Sequence, residues 1–320
     1  MPYRECGRFF EFVDVIVHPE RYRNGKLYIC HKRSISKLFP DDKIGQWKHE
    51  RRPRYGRNQL PLRLEWPGNK ALKGSSMTNA LAIRAVRNNA DWCDLVCRAH
   101  GNAGEFRRKI WINRKPVPRF YPNAQTLMAS GAEMLESIDE LARAGLPGGR
   151  AIKDSFASID LVSRGFTPLF DAEWIALHPG HLKGEVRAAS DIRWEVVREE
   201  RALAEWERAW CIAQNDMATE RVFRAPLLEN RDVAFVTAFR GGKIVGGAIG
   251  NRSDGVIGWS NLFIAESRDL AEVAIGSIRM LWESFGDLPI VAYDGGEALQ
   301  GALSIGFESL GPLRVWVRNP

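Results

Sequence analysis

No apolar run in the chain approaches the 18 or more residues that a membrane span needs, so no transmembrane helix is expected. The opening residues, Met-Pro-Tyr-Arg-Glu-Cys, lack the apolar core of a secretory signal. Cysteine is scarce: five in 320 residues, irregularly spaced and one necessarily unpaired, which argues against a disulfide framework. Cys93-x3-Cys97-x2-His100 sets three soft ligands on one side of a helix. No second Cys/His cluster supplies the rest of a zinc site, so no metal is expected. The two cysteines read instead as small apolar residues on a buried face. The cytosol is the expected compartment. Bulky apolar residues are plentiful, with eleven Trp and 45% hydrophobic content, enough for two cores in a chain of this length.

Net charge is also nearly absent from most of the chain. Residues 1–76 hold 17 Lys and Arg against 8 Asp and Glu, whereas the remainder holds 29 against 31. The calculated isoelectric point of 9.3 therefore reports one segment. That segment is poor in helical periodicity and rich in clusters such as Arg51-Arg52-Pro53-Arg54-Tyr55-Gly56-Arg57. Three readings stay open: a basic arm for nucleic acid or an acidic partner, a solvated tail, or a translated leader ahead of a start at Met77.

Beyond residue 76 one pattern occurs twice. Ser-Ile-Asp-Glu-Leu (137–141), Lys153-Asp154, Gly165-Phe166 and Trp174-Ile175 return as Ser-Ile-Arg-Met-Leu (277–281), Tyr293-Asp294, Gly306-Phe307 and Trp316-Val317. A long-period repeat decides how many units to look for, and here it gives two, 77–180 and 190–320. In the first, a strand is expected over Leu81–Val86, a helix over Ala90–His100 and an extended stretch at Phe120–Leu127. Helix 132–144, strand Ala151–Lys153, helix 155–164 and strand 167–177 follow. The second reads as strand Ile192–Val197, helix 199–213, strands Val233–Phe239, Ile244–Ile249 and Val256–Ile264, helix 269–285, strand Leu288–Ala292, helix Glu297–Ile305 and strand Ser309–Val317. First strands lie 109 residues apart and Gly-Phe pairs 141 apart. The difference, 32, is about one hairpin that the first unit has lost or shortened.

This element order, with a Gly-Phe closing the last helix in Ile159-Asp-Leu-Val-Ser-Arg-Gly165-Phe166 and Ala302-Leu-Ser-Ile-Gly306-Phe307, resembles the Gcn5-related N-acetyltransferase (GNAT) fold. The resemblance implies an α+β protein of two GNAT-like mixed-sheet units in tandem, the first reduced, after the basic N-terminal segment. It implies acetyl-CoA or another acyl-CoA as co-substrate, admitted where the fourth strand parts from its neighbour. Phe263, Ile264, Arg268 and Asp269 then fall at the acyl-CoA site. The family's Arg/Gln-x-x-Gly-x-Gly/Ala loop is Ala265-Glu-Ser-Arg-Asp-Leu-Ala271 here, with Arg268 kept and both glycines missing. Its general-acid Tyr is replaced by Leu161 in the first unit and Ala302 in the second.

Acyl transfer to an amine needs a donor for the carbonyl oxygen, a base for the amine and a proton for the thiolate. Glu266, Tyr293 and Asp294 are the candidate catalytic residues, Glu266 as a base through water. Against this stand helix-capping carboxylates and a half-buried Tyr. Arg268 suits a phosphate or plain solvent. Lys153-Asp154 and Asp171-x-Glu173 line a groove or form supporting ion pairs. His178 and His181 read as linker residues, and the Trp set as packing. The leading function is transfer to a small-molecule or peptide amine, away from membranes, with nucleic acid entering only through 1–76. The rivals are a catalytically silent tandem protein that binds a ligand or partner, and transfer from aminoacyl-tRNA, which lacks its helical arm here.

Overall fold

A computed structural model describes residues 22–23, 26–27 and 76–319, except 130, 147, 185–190, 217–219 and 267–268. The readings of residues 1–75 therefore lie outside the described residues, apart from one short ladder. That ladder pairs β1 (Tyr22–Arg23) with β2 (Lys26–Leu27) and belongs to a unit spanning Arg21–Lys73.

Gly74–Pro320 fall in one compact unit. Its elements are α1 (Ser76–Ala99), β3 (Glu105–Phe106), β4 (Ile110–Ile112), β5 (Ala124–Thr126), α2 (Ala132–Arg143), β6 (Arg150–Asp154) and β7 (Thr167–Leu177). After the linker come β8 (Arg193–Val196), α3 (Glu200–Ala213), β9 (Val233–Arg240), β10 (Lys243–Ser253), β11 (Val256–Ile264), α4 (Leu270–Phe285), β12 (Ile290–Asp294), α5 (Gly296–Ser304) and β13 (Glu308–Arg318). The strands β3 to β13 make a single mixed sheet in the order β3-β4-β5-β6-β13-β7-β12-β11-β10-β9-β8.

The middle of that order holds an exchange. β7 follows β6 in the chain yet pairs with β12, from Leu177↔Ile290 to Glu173↔Asp294. β13 follows β12 yet pairs with β6, from Asp154↔Arg314 to Arg150↔Arg318. The two exchanged strands are antiparallel neighbours of each other. On either side the pattern matches: β5 runs parallel to β6 for two register pairs, and β11 parallel to β12 for two.

Alternation along the strands sends side chains to opposite faces. Ile290 and Ala292 pack with Ile278, Leu281 and Leu299 of α4 and α5. Val291 and Tyr293 lie with Leu81, Ala85 and Val86 of α1. Leu203 and Trp206 of α3 cover β9 and β10 beside Trp92 of α1, while Met134, Ile138 and Leu141 of α2 cover Ile152 and Trp316. Helices therefore sandwich the sheet.

Both Gly-Phe steps are built alike. The Phe166 amide donates to the Leu161 carbonyl and the Phe307 amide to the Ala302 carbonyl, each at 3.2 Å. Gly165 and Gly306 take φ of 77° and 113°, and both phenylalanines are buried. Left-handed backbone at this position is the ordinary use of glycine at a helix end.

Two expectations need correction. Leu81–Val86 is helical, inside the 24-residue α1. Leu81, Ala82, Ala85, Val86, Ala90, Cys93, Val96 and Cys97 are all buried on one helical stripe, and a six-residue apolar run alone cannot separate strand from helix. Residues 155–164 hold only a 3-10 turn at Val162–Arg164. The reason is that Asp154 accepts the Phe156 and Ile159 amides and Asp160 accepts that of Val162, drawing the backbone into turns. The strands β3, β4 and β5 are two, three and three residues long, where β9, β10 and β11 run eight, eleven and nine. The hairpin of the first half is shortened rather than lost, and among the described residues β8 has no counterpart there.

Candidate functional site

β11 and β12 pair only at Ile257↔Ile290 and Gly258↔Val291. From Trp259 onward β11 stays on β10 and leaves β12, so the sheet opens at its centre. Ser260 faces Ile249 and Phe263 faces Gly247, which leaves Asn261 and Leu262 opposite Ala248 alone. That is a β-bulge, and it releases ladder amides from pairing. Asn261 has φ of 54°, a left-handed geometry that Asn tolerates better than most residues.

A cavity of about 360 Å³ occupies the opening. Ala271, Ala274, Ala298, Gly301 and Ala302 of α4 and α5 line one side, and their small side chains make the room. Asn88 and Trp92 of α1, Tyr121, Lys153 and Trp174 line the other. Because the strands have parted, the cavity meets both faces of the sheet. Gly258 forms its edge, and a Cβ there would sit 2.2 Å from Asn88 Oδ1 and 2.4 Å from Asn251 Oδ1. The missing side chain lets those amides interlock, Asn88 Nδ2 donating to the Asn251 carbonyl at 3.0 Å and Asn251 Nδ2 to that of Asn88 at 3.2 Å.

Asp294 lies at the carboxyl end of β12, where open sheets collect ligands. It shares the α4 and α5 face with Ala292, by alternation. Burial pushes its carboxyl up to about 7. Tyr293 points to the other face, edge-on to Trp174 with ring centroids 5.3 Å apart. Lys153 reaches over it: Nζ is 4.1 Å from the Tyr293 ring centroid and donates to Asn89 Oδ1 at 2.6 Å. Asp154 is no partner of Lys153, since its carboxylate is turned to the amides of the following loop.

The other expected residues fall elsewhere. Phe263 is buried against Trp206, ring centroids 5.1 Å apart, and Ile264 packs with Ala238 and Val273. Asp269 is buried and bound to Arg240 at 2.7 Å, a pair that ties the start of α4 to β9. Glu266 is exposed and outside the cavity lining, while Arg268 is outside the described residues. Asp171 pairs with Arg314, and His178 lies 3.3 Å from Glu308. Trp92, Trp174, Trp210 and Trp259 turn out to line the cavity as well as pack.

Cys93 also borders the cavity, but burial pushes its thiol up to about 11, which leaves almost no thiolate at neutral pH. His100 instead donates from Nε2 to the Val222 carbonyl at 2.8 Å. The residues that sequence reasoning missed are Asn88, Asn89 and Asn261; of the two readings open for Lys153, a groove or an ion pair, the residue lines the cavity. An Asn in mid-strand was a legible signal of a bulge.

No helix among the described residues is long and apolar enough to cross a membrane. No protein-family model and no curated protein matches the chain. Among solved structures, it is similar to a GCN5-related N-acetyltransferase from Kribbella flavida with a TM-score of 0.53 and 16% identity, covering 74% of this chain and 95% of that one. A functionally unknown conserved protein from Staphylococcus epidermidis ATCC 12228 gives 0.50 and 12%, covering 68% and 94%. Identities this low carry the fold alone: the chain has the fold of the Gcn5-related N-acetyltransferases.

Proposed function

We propose that this protein is an N-acyltransferase that moves an acyl group from acyl-CoA to an amine. The observation that carries the reading is the parting of β11 from β12, with a bulge at Asn261–Leu262 and a cavity open to both faces of the sheet. Small residues of α4 and α5 leave a narrow slot suited to a thin acyl-pantetheine chain, and bulge amides suit the carbonyl oxygen.

Roles follow from the faces. The amine nitrogen, entering from the α1 side, attacks the thioester carbonyl carbon, and the C–S bond breaks. Asp294, on the same face as Ala302, gives its proton to the departing sulfur in place of the absent Tyr. The amine's surplus proton then returns to the Asp294 carboxylate through water. A carboxyl titrating near 7 suits both halves of that exchange. Tyr293 bounds the amine's approach on the opposite face.

The same fold is inferred twice in the chain, over 77–180 and 190–320. In support, the two Gly-Phe steps share their hydrogen bonds and the two parallel strand pairs share their length. The Kribbella flavida structure covers 74% of the chain, whereas 190–320 is only 131 of 320 residues.

Calorimetry of the full chain with acetyl-CoA and longer acyl-CoAs tests the function. Binding is expected, and its absence at millimolar concentration would end the acyltransferase reading. Asp294→Asn should still bind but turn over about 100-fold more slowly.

A further inference from the structure

Resting on the acyltransferase reading, we propose that the acceptor is a small amine carrying its own carboxylate, of the α-amino acid class, whose acid group is held by Lys153. Lys153 is only 4% exposed, and its long side chain ends in the cavity. Taking an ammonium out of water is costly unless an anion compensates. Among the described residues no carboxylate pairs with it. Its neighbour Asp154 is on the other face, accepting the Ile159 amide at 3.0 Å.

What surrounds Nζ is one amide oxygen, from Asn89, and the faces of Tyr293 and Trp174, at 4.1 and 6.0 Å. An ammonium has three donors, and Asn89 takes one. Ring faces orient a cation but leave its charge uncancelled. Among the described residues, the cavity lining contains one cation and one carboxylate, Lys153 and Asp294. They stand on opposite faces of the sheet, so neither neutralises the other.

The donor's phosphates do not explain Lys153 either, because it faces α1, away from α4 and α5. A carboxylate on the acceptor supplies the missing anion. With its acid on Lys153, an amino acid would reach with its amine toward the opening at Gly258. Its side chain would lie among Trp92, Tyr121 and Phe170, which favours an apolar or aromatic one.

The test uses the full chain saturated with CoA and two ligand pairs: L-phenylalanine against phenethylamine, and L-leucine against isopentylamine. Thermal shift and calorimetry read binding without turnover. In at least one pair the amino acid should bind about tenfold or more tightly than its decarboxylated amine. Lys153→Met should erase that preference without altering CoA affinity, and Lys153→Arg should keep it. Equal binding within both pairs, or no binding of either amino acid at millimolar concentration, would overturn the proposal. So would a preference that survives Lys153→Met. If Lys153→Met does not fold, the wild-type comparison decides alone. Intact CoA binding with a failed amino acid preference sinks only the acceptor assignment; absent CoA binding sinks the transferase reading itself.

Discussion

The carboxyl ends of β6 and β12 occupy matching places, Lys153-Asp154 in one and Tyr293-Asp294 in the other, and their aspartates are used in opposite ways. Asp154 accepts the amides of Phe156 and Ile159, and the Ser155 amide donates to Thr126 Oγ1 at 2.8 Å across the gap between β5 and β6. Trp174 Nε1 donates to the Ser155 carbonyl at 2.8 Å and closes the loop further. At β12 nothing among the described residues donates to the Asp294 carboxyl, and the gap beside it is the cavity. One parting is stitched with hydrogen bonds; the other stays open at a cost in desolvation. On the proposed duplication, one half would keep the cavity for chemistry while the other gives its opening up for stability.

The largest test of that comparison concerns whether the halves fold apart. Trp316 comes from the second half but is buried in the first-half cluster with Met134 and Ile152. Trp316→Ala should cost about 3–5 kcal/mol. Because β7 and β13 are exchanged, the loss should move one cooperative transition in denaturant, read by near-UV circular dichroism. Two separable transitions, only one of them shifted, would break the picture of interlocked halves.

Next come the two capping glycines. Gly165→Ala places a Cβ 3.6 Å from the Arg318 side chain and should cost about 1–2 kcal/mol, for left-handed backbone alone. Gly306→Ala aims its Cβ at the His181 carbonyl oxygen, 2.2 Å away, with backbone on both sides of the clash. It should cost about 3 kcal/mol or more. Equal melting temperatures for the two variants would mean that the linker at His181 gives way freely.

How far these contrasts were legible in the sequence depends on the distance between partners. The Gly-Phe steps declare themselves, because left-handed backbone before a buried aromatic leaves few residue choices. β9, β10 and β11 are marked by Gly241-Gly242 and Asp254-Gly255, which carry positive φ in the turns. α1 was misread in its first half because Leu81–Val86 satisfies either period. The strand exchange left no local trace, since the pattern of β13 shows that it pairs but not with which strand. Asp294 could be singled out by its place at a strand end. Lys153 could not be given a role, as Asn89 is 64 residues away and Tyr293 belongs to the other half.

The aspartates themselves give the finest contrast, of opposite sign. Asp154→Ala strips an acceptor from buried amides and should destabilise by about 1–3 kcal/mol. For Asp294, burial lifts the carboxyl from 3.8 to about 7, so between those values the folded protein keeps a proton that the unfolded chain has released. Stability then falls as pH rises through that window, and the burden is complete above about pH 7. Asp294→Asn should therefore melt above wild type at pH 8, by the equivalent of roughly 1–3 kcal/mol once solvent entering the cavity is allowed for. Below about pH 3, where both states are protonated, the gain should vanish. Turnover should run the other way: a proton donor is lost as Asp294 ionises, so the wild-type rate should decline above about pH 7 while the Asn variant stays slow and flat. A rate that climbs through pH 7 would make Asp294 a base instead, and a melting advantage independent of pH would show that its carboxyl is already solvated.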